Sequence, residues 1–168
     1  MAVKAEVKTL ITDVVLITYD IPVTQRKLRD MFLREAHRIG AISFTQSCYL
    51  APYSEKTFAL ANELAGKADV VVWKSHQPDK EKALAITNTY EEHVKLRCAT
   101  ISQRLVIAQE YIVAGRLFYA IRMGIKTGKL LQELAHIFES FSPEWLGGEL
   151  LTLVEDWKKI YGELAKEF

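Results

Sequence analysis

The sequence predicts an α+β chain: a small sheet with helices on one face over residues 10–78, then a helical domain over residues 79–168. Three observations predict it. Short β-branched runs alternate with amphipathic stretches as far as Pro78, which gives the order β-α-β-α-β. Beyond Pro78, apolar residues recur at alternating threes and fours through Ile112, the pattern of a long helix. No repeat, low-complexity segment or flexible linker interrupts the chain.

VVLITY at residues 14–19 is a β-branched run suited to a buried strand. Asp20-Ile21-Pro22 then turns the chain, and Thr24 is placed to cap a helix with the apolar stripe Leu28, Phe32, Ala36 and Ile39. Gly40 ends that helix. Residues 42–50 read as a second strand stopped by Pro52, and Ser54 caps a second helix carrying Phe58, Ala61 and Leu64. DVVVW at residues 69–73 is a further strand. Crossover rules leave two solutions, a ferredoxin-like sheet or a three-stranded parallel one. The ferredoxin-like order needs one more strand between the helices, which residues 41–51 supply if they bend near Thr45-Gln46.

The second half reads as a helix with a seam of Leu84, Thr87, Glu91, Val94, Cys98, Ile101, Leu105, Ala108 and Ile112. Gly115 and Gly124 are expected breaks. A helix from about Lys126 to Phe141 follows, Ser142-Pro143 ends or restarts it, and Gly147-Gly148 interrupts before a last helix over residues 150–168.

Composition narrows the function classes. At 168 residues, 49% hydrophobic and 26% charged, the chain can bury a core without disulfides. Cys48 and Cys98 fall in no metal or redox spacing and read as reduced, buried thiols of a cytoplasmic protein. No apolar run suits a secretory leader or a membrane span, so no membrane association is expected. Net charge is +1, yet residues 95–129 hold seven basic residues against Glu110 alone, while residues 130–168 hold three against eight acids. Such asymmetry suits an anion-binding surface, or an acidic segment packed beside a basic one.

Asp20 lies at the carboxyl end of the first strand, where open α/β sheets place their sites. Its plainer role is to hold the following turn. Asp13 and Asp69 are expected at the opposite ends of their strands. Phosphate or another anion would find Arg26, Lys27 and Arg29 on the first helix, and Arg104, Arg116, Arg122, Lys126 and Lys129 in the basic middle segment. Tyr111, Phe118 and Tyr119 are interleaved there, and their helical spacing reads as core. Gly124 to Lys129 is one residue short of a phosphate-binding loop, and no strand precedes it. Glu133-Leu134-Ala135-His136 is a lone Glu-x-x-His element, which reads as a surface or helix-packing pair because di-iron bundles need a second copy. His37, His76 and His93 have no ligand spacing, and Ser47 and Ser54 no triad partners.

TYDIPVTQRKLRD, GAISFTQSCYLAP and ADVVVWKS, within residues 12–78, carry a resemblance. They resemble the ferredoxin-like domain shared by the small CRISPR-adaptation subunit and the phenylacetate-pathway repressors, and most of all the N-terminal domain of chromate-resistance regulators. Helices after the sheet suit the regulator type better than the adaptation subunit. The resemblance implies a homodimer in which Asp20 pairs across the dimer axis and can hold Mg²⁺, with no other cofactor. A homodimeric regulatory or nucleic-acid-associated protein without robust catalysis is therefore expected, its ligand DNA or RNA. The alternatives are a metal-dependent nuclease acting through Asp20, and an interaction module whose long helices bind a protein partner.

Overall fold

A computed structural model describes residues 9–67 and 69–164. The elements are β1 (Asp13–Tyr19), α1 (Arg26–Arg38), β2 (Ile42–Thr45), β3 (Cys48–Pro52), α2 (Glu55–Ala65) and β4 (Val70–His76). Three long helices follow, α3 (Lys80–Val113), α4 (Leu117–Ser140) and α5 (Glu144–Leu164). The strands pair antiparallel throughout in the order β2-β3-β1-β4, so the first six elements make a ferredoxin-like βαββαβ unit. The parallel alternative is excluded because β3 lies between β1 and β2. Residues 41–51 do supply two strands: the chain turns at Gln46-Ser47, and a register irregularity between Ser43 and Thr45 accommodates so tight a reversal.

Two local capping expectations separate. Ser54 caps α2, its hydroxyl accepting from the Thr57 amide at 3.0 Å, a bond worth about 1 kcal/mol. Thr24 does not cap α1: Gln25 is the N-cap residue and makes no side-chain cap bond, so the Pro22 turn positions the helix instead. That turn is closed by the Gln25 amide donating to the Pro22 carbonyl at 2.9 Å. Gly40 follows α1 with φ +84°, a left-handed position that an L residue resists.

One face of the sheet packs Val15, Ile17 and Tyr49 against Phe32 and Ala36 of α1 and Ala61 and Leu64 of α2. The other face turns Val14, Ile42 and Leu50 toward the helices, where they join Tyr90, Val94, Ile101, Leu134, Ile137 and Leu146 in a second cluster. The α3 seam is real at Thr87 and from Val94 to Ala108, but its first turns bury Ala83 and Tyr90 where Leu84 and Glu91 were expected. Leu84 is exposed.

The expected breaks at Gly124 and Gly147-Gly148 do not occur. α4 runs unbroken through Gly124, and α5 runs through both later glycines, starting at Glu144. Gly124 is retained for packing: a Cβ there would overlap the ring of Tyr161, whose hydroxyl donates to the Ala120 carbonyl at 3.0 Å. Gly115, with φ +69°, does separate α3 from α4. No helix among the described residues is long and apolar enough to cross a membrane.

Candidate functional site

Antiparallel pairing decides what surrounds Asp20. Tyr19, at the end of β1, lies opposite Val70, at the start of β4, so Asp69 stands beside Asp20 and not at the far end of the sheet. The Asp20 amide donates to the Asp69 carbonyl at 3.3 Å. The expectation for Asp69 fails because β4 runs antiparallel to β1, which brings the start of β4 to the end of β1. Asp13 does lie at the other end, 3.0 Å from His76 Nδ1.

Asp20 and Asp69 border a cleft of about 340 Å³ with Thr18, Thr45, Ser47 and Cys48. Among the described residues the Asp20 carboxylate has no hydrogen-bond or ion-pair partner, so the side chain is not spent on holding the turn. Two carboxylates are enough for Mg²⁺, which keeps several of its waters. No group of three or more His, Cys, Asp or Glu side chains suited to a metal occurs among the described residues. Burial raises the Cys48 thiol, with a backbone hydrogen bond opposing, so the cleft holds a thiol and no ready thiolate nucleophile. Cys98 is buried and its thiol is pushed up to about 11.

The predicted basic residues fall into three settings. On α1, Arg26 lies 3.9 Å from Asp30, Lys27 is exposed, and Arg29 is half-buried near Tyr49. That helix packs on α2, whereas α4 packs on α3 and α5, so the two basic groups belong to different layers. Arg104 belongs to a third setting. It acts with Arg38 and Arg97 on Glu133, whose carboxyl burial raises and those three cations lower.

That third setting is the junction between sheet and helices. Arg97 donates to the carbonyls of His37 at 3.2 Å and Ala41 at 3.3 Å, and stands 3.9 Å from Glu133. One turn on, His136 lies 3.5 Å from Glu139, which Lys56 of α2 meets at 2.5 Å. The Glu-x-x-His element is thus a helix-packing pair that joins α4 to the sheet layer. His37 and His136 are both held below the ordinary histidine value, chiefly by burial. The charges of Arg97 and His93 add to this at His37, and that of Lys56 at His136, where Glu139 opposes it. A lowered folded value means stability is present above about pH 6.5 and is lost as pH falls through that lowered value. Glu133, raised in the fold, acts in the opposite sense and at lower pH. The thermal midpoint is expected to fall as pH drops from about 7 to 5. His136→Gln should flatten that dependence, and an unchanged profile would show that His136 contributes nothing to it.

Arg116, Arg122, Lys126 and Lys129 are in the remaining setting. All four are exposed, and among the described residues none forms an ion pair within 4.0 Å. α4 carries no acid between Leu117 and Gln132. α5 does pack on α3 and α4, but among the described residues Glu144, Glu149, Glu155 and Asp156 form no ion pair with these four cations. The reading of Phe118 and Tyr119 as core is wrong: they are 70% and 55% exposed, because α4 turns its opposite face, Ala120, Gly124, Thr127 and Leu131, inward. Gly124 to Lys129 lies within the helix and forms no loop.

The sheet also keeps an open region. Trp73 and Val71 of the edge strand β4 are 55% and 50% exposed, opposite Leu16 and Thr18 of β1. Trp73 Nε1 donates to Thr18 Oγ1 at 3.3 Å, which holds the indole across this face beside the Asp20 cleft. No family model and no curated protein matches the sequence.

Proposed function

We propose that the chain is a cytoplasmic, homodimeric regulatory protein that associates with nucleic acid and does no robust catalysis, of the kind the chromate-resistance-regulator resemblance implies. The observation that supports it is the acid-free stretch from Leu117 to Gln132 of α4, where Arg122, Lys126 and Lys129, with Arg116 just before it, stand exposed and form no ion pair among the described residues. Unpaired cations release condensed counterions from a phosphate backbone when they bind it, so affinity falls steeply with salt. Labelled DNA followed by anisotropy across a salt series tests this. Binding that weakens linearly in the logarithm of salt, with the strands intact on a denaturing gel, is the expected result. Absence of binding at low salt would overturn it.

The dimer forms through the exposed face and edge of β4, since burying Trp73 and Val71 against a second copy removes apolar surface from water. Sedimentation should give twice the chain mass of 19.2 kDa, and Trp73→Glu should give the chain mass itself. A monomeric wild type at micromolar concentration would exclude the dimer.

One observation favours a second reading, metal-dependent cleavage: Asp69 stands next to Asp20, which doubles the carboxylates each protomer brings to the cleft. That reading predicts Mg²⁺- or Mn²⁺-dependent strand cleavage that disappears in Asp20→Asn.

A further inference from the structure

The outer face of α4 carries more than charge. Phe118, Arg122, Ile125 and Lys129 follow one another at spacings of four, three and four, so a ring, a guanidinium, an aliphatic side chain and an ammonium form one line along the helix. Lys126 flanks that line. At its start Phe118 meets Tyr119 edge-on, with ring centroids 5.7 Å apart, and Tyr119 lies 5.7 Å from Tyr111 of α3. The three rings therefore form a row at the α3–α4 turn, and its outer member, Phe118, is the most exposed.

We infer that this line binds single-stranded nucleic acid, with Phe118 and Tyr119 stacking on unpaired bases while Arg122, Lys126 and Lys129 take the phosphates. The inference rests on the proposed nucleic-acid association and names its substrate class. A duplex hides the faces of its bases, so exposed rings gain nothing from it beyond what the cations gain. A single strand offers every base for stacking, irrespective of sequence. Neighbouring rings hold Tyr119 in place, which lowers the ordering cost of binding.

A lipid surface is the rival for a helix with exposed apolar and basic residues. Helices that lie in a membrane interface separate an apolar face from a charged one. Here Arg122 and Lys129 lie on the same line as Phe118 and Ile125, so inserting the rings would carry out of water two charges that have no ion-pair partner among the described residues. Alternation of rings and cations suits a polymer that alternates bases and phosphates.

The test compares a labelled oligothymidylate with a blunt duplex of the same length, for the wild type and for Phe118→Ala/Tyr119→Ala. Single strand should bind more tightly than duplex. The double variant should lose about five- to a hundredfold of single-strand affinity for each base it no longer stacks, with its salt slope and duplex affinity kept. Both side chains are largely exposed, so the fold should survive. Phe118→Trp supplies a direct reading, because stacking quenches the added indole when oligothymidylate binds. Equal binding of both forms, with no loss in the double variant and no quenching, overturns the stacking inference and leaves the nucleic-acid reading standing. No binding to either form overturns both. Binding to anionic phosphatidylserine vesicles but to neither nucleic acid would assign the line to a lipid surface and also overturn both.

Discussion

Tyr90→Ala should cost about 3–5 kcal/mol, among the largest stability losses expected of a single change in this protein. Tyr90 is completely buried where the sheet meets the helices, and its ring meets that of Phe141 edge-on with centroids 5.1 Å apart. Its hydroxyl donates to the Gly40 carbonyl at 2.8 Å, fastening α3 to the turn after α1. Burial raises the phenol far above its ordinary value, so it remains a neutral donor across the accessible pH range. Two losses can be separated. Tyr90→Phe keeps the packing and leaves a buried carbonyl unpaired, at about 1–3 kcal/mol. Urea unfolding should show both midpoints falling with the slope unchanged, alanine by more than phenylalanine. A midpoint for Tyr90→Ala within error of the wild type would mean that the helices do not depend on this contact.

The second large effect is expected at Gly124. Alanine is the better helix former by about 1 kcal/mol, so at an exposed site Gly→Ala would stabilise α4. At Gly124 the new Cβ would overlap the Tyr161 ring, and the neighbouring indole of Trp157 donates to the Gly124 carbonyl at 3.2 Å. Neither aromatic can shift without losing a bond to the α4 backbone, so α5 must move away. Gly124→Val should cost about 3 kcal/mol, and Gly124→Ala less but still a net loss. Gly128 is the internal control. A Cβ there would lie 3.3 Å from Trp157 Cζ2, a contact that a small shift relieves, so Gly128→Ala should be close to neutral. Gly124→Ala as stable as wild type in thermal unfolding would contradict the close α4–α5 packing.

Gly124 also shows where the sequence was legible and where it was not. Three strand segments, the Ser54 cap, the Gly40 and Gly115 stops and most of the α3 seam follow from periodicity and short-range chemistry, which the chain displays locally. The division of residues 41–51 into two strands follows only from the topology that the ferredoxin-like order demands. Gly124 and Gly147-Gly148 were misread because a glycine that admits a neighbouring ring and one that ends a helix look alike in one dimension. Thr24 was misread because a cap depends on backbone angles that Pro22 sets. The candidate sites divide in the same way. Asp20 and the α4 cations could be found from residue type and position, since the acid-free stretch from Leu117 to Gln132 is visible in the sequence. Asp69 beside Asp20, the influence of the Arg104 charge on Glu133, and the exposure of Phe118 depend on strand direction and on which helix face is covered. For Phe118 a signal was present: Ala120, Gly124, Thr127 and Leu131 mark the inward face, and Phe118 lies opposite them.

The most direct test of the proposed nucleic-acid association is the salt dependence of DNA binding by the wild type and by Arg122→Ala/Lys126→Ala/Lys129→Ala. If these three side chains contact phosphates, the slope of log K against log salt should be shallower in the variant by about 2–3 units, with weaker binding at low salt. An identical slope and affinity would contradict the account and place the phosphate contacts elsewhere on the molecule.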